Sequence, residues 1–185
     1  AIFNVSQDNT GTVLITPNAV GAATYNVTLG DGTETPVAVN QGESMQHVYE
    51  EGTYTVTIQA VSINGLTTEV TKQLVVSFRA PENLVITAEI DASNPFQVNI
   101  SASADYTASF EVYFDISNPD EEATLLGLDE AVSFEYPLVG DYTARVVALS
   151  GGVETTEDTV VVTIATPTVL PIDFEIFDTT VFFGF

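Results

Sequence analysis

The stretch His47-Val48-Tyr49-Glu50-Glu51-Gly52-Thr53-Tyr54-Thr55-Val56-Thr57-Ile58 constrains this chain more than any other. Tyr54, Val56 and Ile58 alternate with threonines, the period-two pattern of a strand with one buried face. Gly52 stands just before it, where a chain turning a sheet corner is expected to need positive φ. A tyrosine at such a corner buries its ring and returns its hydroxyl to nearby backbone, which locks the edge of a two-sheet sandwich. The stretch recurs as Phe134-Glu135-Tyr136-Pro137-Leu138-Val139-Gly140-Asp141-Tyr142-Thr143-Ala144-Arg145-Val146. A corner used twice points to two copies of one domain.

The rest of the chain fits that reading. Short alternating runs span Ile2 to Val5, Thr12 to Thr16, Ala22 to Leu29, Met45 to Tyr49, Tyr54 to Ser62 and Thr67 to Phe78. Val37 and Val39 make a short edge strand behind Pro36. Gly30-Asp31-Gly32 and Asn64-Gly65 are turn and hairpin signals. The second copy repeats the order in Leu84 to Ile90, Phe96 to Ser101, Phe110 to Phe114, Tyr142 to Leu149 and Thr159 to Ile164. There an acidic loop, Asp115 to Glu122, replaces the Gly-Asp-Gly turn, and Gly151-Gly152 replaces Asn64-Gly65. Strands at about ten-residue spacing with no helical period predict an all-β chain of tandem sandwiches. The expected units are 1–79, 80–166, and a linker with the truncated first strands of a third domain at 167–185. The linker around Pro81 is too short for a flexible tether, so little bending is expected between the copies.

Composition narrows the partners. Apolar residues make up 45% of the chain, enough for packed cores rather than disorder. Only Lys72, Arg79 and Arg145 are fixed cations, and the formal charge is −23. Such a surface repels nucleic acid and anionic lipid; it either attracts divalent cations or keeps the protein soluble in salt. There is no cysteine, which removes disulfides and thiolate chemistry. No stretch approaches the about 20 apolar residues of a membrane helix, so no direct membrane insertion is expected. A chain without an initial Met or signal peptide is read as a mature or excised piece, and as a monomer.

Tyr25-Asn26-Val27-Thr28-Leu29-Gly30-Asp31-Gly32, followed by His47-Val48-Tyr49 and Gly52-Thr53-Tyr54-Thr55-Val56, resembles the PKD domain. Val27 and Leu29 stand where that family has Trp and Phe. Its motif positions fall on Gly30, Asp31, Gly32, His47, Tyr49, Gly52 and Tyr54 here. The second copy keeps Tyr136, Gly140 and Tyr142 and resembles a divergent PKD or immunoglobulin-like domain. The tail Leu170-Pro171-Ile172-Asp173-Phe174-Glu175 is similar to the opening of jelly-roll carbohydrate-binding domains. These follow PKD repeats in surface glycan-binding proteins of Bacteroidetes polysaccharide-utilisation systems. The resemblance implies a lipid-anchored extracellular protein whose repeats are spacers. Its full-length form captures polysaccharide for a neighbouring outer-membrane importer. Three alternatives stay open: an accessory module of a secreted hydrolase or protease, an adhesin repeat, and direct polysaccharide binding by one of these domains.

Catalytic readings find little footing. His47 is the only histidine, and the resemblance implies that it packs and bonds at the corner. A Ser-His-Asp triad would have to use it, with Ser44 nearby in sequence and no Gly-x-Ser-x-Gly elbow. Glycosidase carboxylates cannot be singled out among 26 acids. Gly30-Asp31-Gly32 lacks the third glycine and helix of a dinucleotide loop. The chain is therefore expected to be no enzyme and to need no cofactor. Asp115, Asp120 and Glu121, with Asn118 and Glu122, are the calcium candidates, against a merely solvated loop. Tyr106 and Tyr113 are the candidate exposed aromatics for stacking on sugar.

Overall fold

The structure, a computed structural model, describes residues 1–166. The aromatic strands expected after Pro171, Ile172 to Phe177 and Val181 to Phe185, lie outside the described residues. Seven strands form the first sandwich: β1 (Ile2–Val5), β2 (Thr12–Thr16), β3 (Ala22–Thr28), β4 (Val37–Asn40), β5 (Met45–Val48), β6 (Gly52–Ser62) and β7 (Thr67–Val76). Seven more form the second: β8 (Glu82–Ile90), β9 (Gln97–Asp105), β10 (Ser109–Tyr113), β11 (Thr124–Leu126), β12 (Ala131–Glu135), β13 (Gly140–Leu149) and β14 (Thr156–Ile164). The sheets are β1-β2-β5 and β4-β3-β6-β7 in one copy, β8-β9-β12 and β11-β10-β13-β14 in the other. Strand four joins the sheet of strands three, six and seven, as the extra strands of variable immunoglobulin domains do. The protein is all-β, two tandem immunoglobulin-like sandwiches.

The alternation seen in sequence decides which side faces inward. Along β6, Val56 and Ile58 are buried while Thr53 and Thr55 face solvent and Thr57 is half-buried. Opposite them, β2 contributes Val13 and Ile15, both fully buried. Tyr25, Val27 and Leu29 from β3 and its end complete the first core with Leu74 and Val76 from β7. The second core uses equivalent positions: Val98 and Ile100, then Phe110, Val112 and Phe114, then Ala144, Val146, Val162 and Ile164. Phe114 is larger than Leu29 and Ala144 is smaller than Val56, so a gain at the end of β10 stands beside a loss on the neighbouring β13 of the same sheet.

Register makes the duplication exact to the residue. Thr28 faces Thr57 across β3 and β6, and Tyr113 faces Arg145 across β10 and β13. Gly52 opens β6 opposite Val76, and Gly140 opens β13 opposite Ile164. Two strands of the second copy, β11 and β12, were not expected as strands. β11 has three residues, too few to display a period, and β12 alternates but is read first as the divergent corner motif. The positive φ expected at Gly52 is absent, whereas Gly30 and Gly32 have φ of 76° and 93°. Gly52 serves by lacking a side chain: a Cβ there would sit 3.2 Å from the Tyr54 ring.

Candidate functional site

The two corners are built by a pair of tyrosines each. Tyr54 donates its hydroxyl to the Glu50 carbonyl at 2.9 Å, and Tyr142 donates to the Leu138 carbonyl at 3.1 Å. Both bonds span four residues and close the turn that opens the long strand. Tyr49 and Tyr136 lie deeper, 2% and 1% exposed. They donate to the carbonyls of Leu29 and Phe114, tying the three-stranded sheet to the end of strand three. The corner device expected at Tyr54 and Tyr142 is therefore doubled by these buried partners. Burial comes first in raising both buried phenols, with Tyr136 pushed up to about 12 and nearby acids adding to it. The fold accordingly favours neutral phenols and loses stability as pH rises above the ordinary tyrosine range.

His47 lies beside the first corner. Its Nε2 is 2.7 Å from Oδ2 of Asp31, and its ring meets Tyr49 edge-on at 4.7 Å. The side chains of His47 and Asp31 are 28% and 19% exposed. Asp31 also accepts the Thr33 amide, and Thr33 first and His47 second hold its carboxyl down to about 2. Gly30 fits this turn because a Cβ would come 2.3 Å from the Thr55 carbonyl oxygen. The second copy replaces the pair with rings. Phe134 stacks on Phe114 at 4.5 Å and meets Tyr136 edge-on at 4.9 Å.

The acidic loop braces itself. Glu121 accepts the Phe114 amide at 2.6 Å with one oxygen and the Asp115 amide at 2.8 Å with the other. Asp115 accepts the amide and hydroxyl of Ser117, and the Asp120 amide donates to Asn118. Among the described residues, no three His or acidic side chains converge to hold a metal ion. Asp115, Asp120 and Glu121 lie along one loop, and Asp115 and Glu121 already hold backbone amides of that loop.

The two candidate tyrosines share a feature that sequence reasoning missed. The Arg79 guanidinium lies 3.7 Å from the centre of the Tyr106 ring, and that of Arg145 lies 4.3 Å from the centre of the Tyr113 ring. Tyr106 is 37% exposed at φ 60°, and Tyr113 is half-buried. Two of three fixed cations therefore cover one face of each aromatic proposed for stacking. Sequence alone marks neither pairing, since Arg145 meets Tyr113 only through the register of β10 against β13.

The joint between the copies is also built. The Gly151 amide donates to the Ser77 carbonyl at 2.8 Å, and the Gly151 carbonyl accepts the Asn9 amide at 2.9 Å. A Cβ on Gly152 would lie 2.5 Å from the Phe78 carbonyl oxygen. Gly151 and Gly152 have no positive φ, so this hairpin needs glycines for close approach rather than for turning. Phe78 and Ala108 pack into the first core, Ala108 8% exposed although it precedes β10 of the second sandwich. Lys72 pairs with Glu130 across the same seam.

No family model matches the chain, and no curated protein is similar to it. A solved structure similar to it is described as the fibronectin(III)-like modules of Clostridium thermocellum CbhA. The two share 13% identity and a TM-score of 0.33, over 88% of this chain and 93% of that one. The fold stands on the strand order and registers above.

Proposed function

We propose that this chain is a non-catalytic spacer, two sandwiches in a row within an extracellular, lipid-anchored glycan-binding protein. In this reading another part of the full-length protein holds the polysaccharide and passes it to an outer-membrane importer. The joint supports it. A spacer transmits position only if its segments keep their angle, and domains in one chain move relative to each other unless their interface is firm. Here both backbone groups of Gly151 are bonded into the first copy and the linker, which leaves little freedom to bend. The glycan context comes from the sequence resemblance of Leu170 to Glu175 to carbohydrate-binding domains that follow PKD repeats, beside the PKD-like residues Gly30, Asp31, Gly32, His47 and Tyr49.

The chain has no cysteine, so single thiols can be placed at will. Spin labels at Asn64→Cys and Leu138→Cys would sit at exposed turns remote from the joint. Pulsed dipolar spectroscopy is expected to give one narrow distance distribution. A broad distribution, as from a flexible tether, would overturn the spacer reading.

A further inference from the structure

The two copies differ most in chemistry beside the end of strand three. The first copy has Thr28 opposite Thr57 there, followed by the tight Gly30-Asp31-Gly32 turn. At the same register the second copy has Tyr113 opposite Arg145, followed by the longer acidic loop. A pocket of about 320 Å³ opens at that place, between Tyr113, Arg145, Ile116, Asn118 and Pro119. It is at the small end of ligand pockets. We propose that it recognises one neutral sugar residue, at a chain end or within a glycan.

Three observations carry this. First, Arg145 is under-bonded. Among the described residues its one side-chain hydrogen-bond partner is Glu157, at a long 3.4 Å, its buried Nε has none, and the side chain is 37% exposed, which leaves its terminal amines open to a ligand. A guanidinium carries five donors, and a protein this acidic had many carboxylates with which to satisfy them. The guanidinium lies over the Tyr113 ring, and both side chains line the pocket. Second, the wall is preorganised. Glu121 grips the Phe114 and Asp115 amides, and the Ile116 amide donates to the Thr143 carbonyl at 3.0 Å. Binding there does not have to order a loose loop, which preserves affinity. Third, the lining mixes roles. Arg145 and the Asn118 side-chain NH2 can donate, the Asp115 carboxylate oxygen that Ser117 does not engage can accept, and Ile116 and Pro119 are apolar. Vicinal hydroxyls, each donor and acceptor, with C–H faces beside them, answer all three. Asp115, Glu121, Glu111 and Glu157 surround the single cation, which disfavours an anionic ligand, and Arg145 itself disfavours a cationic one.

The covered face of Tyr113 means that recognition runs through hydrogen bonds to the guanidinium and Asn118 rather than through ring stacking on that face. The proposal goes beyond the spacer reading and does not depend on it, because a rigid pair without this pocket would still be a spacer.

The test is an amide and arginine Nε–H NMR titration of the whole 185-residue chain. Probes are neutral oligosaccharides (β-1,3-glucan, cello-, xylo- and manno-oligomers), with oligogalacturonate and tetralysine as charged controls. At least one neutral oligomer is expected to shift the Arg145 Nε–H signal and the amides of 114–121, leaving 28–33 in the first copy unmoved. Arg145→Gln is then expected to weaken binding about tenfold or more without lowering the melting temperature. If that variant fails to fold, the wild-type shift map decides alone. The proposal is overturned if no neutral oligomer binds at millimolar concentration, if shifts map elsewhere, or if only a charged control binds. Unchanged affinity in folded Arg145→Gln overturns it as well.

Discussion

The corner of the first copy and the corner of the second hold the same geometry by different chemistry. In the first, Asp31 reaches from the turn to His47, which leans on Tyr49. In the second, Phe114 and Phe134 stack and lean on Tyr136. The hydroxyls of Tyr49 and Tyr136 meet equivalent carbonyls in both. The comparison separates what the corner requires from what it tolerates. A buried phenol bonded to the end of strand three is required, because without it a carbonyl is stranded away from water. The neighbour that pins the phenol can be a hydrogen-bonded His–Asp pair or a ring. The hydrogen bond is directional and goes with a tight turn, whereas the stacked rings fill space beside the longer loop 115–122.

If this division is right, Tyr49→Ala and Tyr136→Ala have the largest effects and similar ones. Each removes a ring from a core and leaves a carbonyl unpaired, a loss of about 3–5 kcal/mol in its own sandwich. Residue-resolved hydrogen exchange assigns the loss to one copy or the other. Unequal losses, with Tyr49→Ala under about 1 kcal/mol, would show that the His47–Asp31 hydrogen bond rather than the phenol holds the first corner.

A second comparison concerns the hairpins. Gly65, at φ 80°, has open space around it, so Gly65→Ala costs about 1 kcal/mol of local backbone strain and leaves the joint alone. Gly152→Val must displace the Phe78 carbonyl, a cost of about 1–3 kcal/mol that falls on the seam between copies. Small-angle scattering is expected to report a more extended or broader ensemble for Gly152→Val and no change for Gly65→Ala. Equal scattering would mean that the close approach of Gly152 does not hold the seam.

These positions also show which physics is visible in a sequence. The alternation around Val56 and Ile58, and its echo around Ala144 and Val146, encodes the buried face of each strand because every second side chain points inward. That is enough for the sandwiches and their order. The phenols were legible as motif residues, but their acceptors were not, since Leu29 and Phe114 lie 20 and 22 residues away along the chain and carry no mark of the bond. Gly151 and Gly152 read as a turn because glycine looks alike whether it relieves φ or steric crowding. Glu121 read as a calcium candidate or a solvated acid because a period-two pattern says nothing of a loop folding back on its own amides. Arg145 read as an ordinary strand residue, and its place over Tyr113 required the register of β10 against β13.

The exchange of corner neighbours gives a smaller effect. Phe134→His places a polar ring against Phe114 with no partner at the position Asp31 holds in the first copy, and costs about 1–2 kcal/mol. His47→Phe removes a partly exposed pair and restores apolar packing against Tyr49, for less than about 1 kcal/mol. Thermal melts of the two variants are expected to preserve that order. The reverse order would mean that the pair is worth more than the stack.

The smallest effect distinguishes the corners by pH. Asp31 titrates near 2 in the fold against an ordinary value of 3.8. A depressed carboxylate stabilises the fold above its ordinary value and loses that contribution as pH falls towards the folded value. The Phe114–Phe134 stack has no such group. Asp8 and Asp91, in the turns after β1 and β8, are both held low by hydroxyls of their own loops, so their acid response is common to the two copies. Acidification from neutral pH to about 2 is therefore expected to weaken amide protection in β2 and β5 before β9 and β12. Asp31→Asn abolishes that difference, because its side chain no longer titrates. If β9 and β12 lose protection first in the parent protein, Asp31 does not set the acid response, and the His47–Asp31 corner is the more acid-resistant of the two.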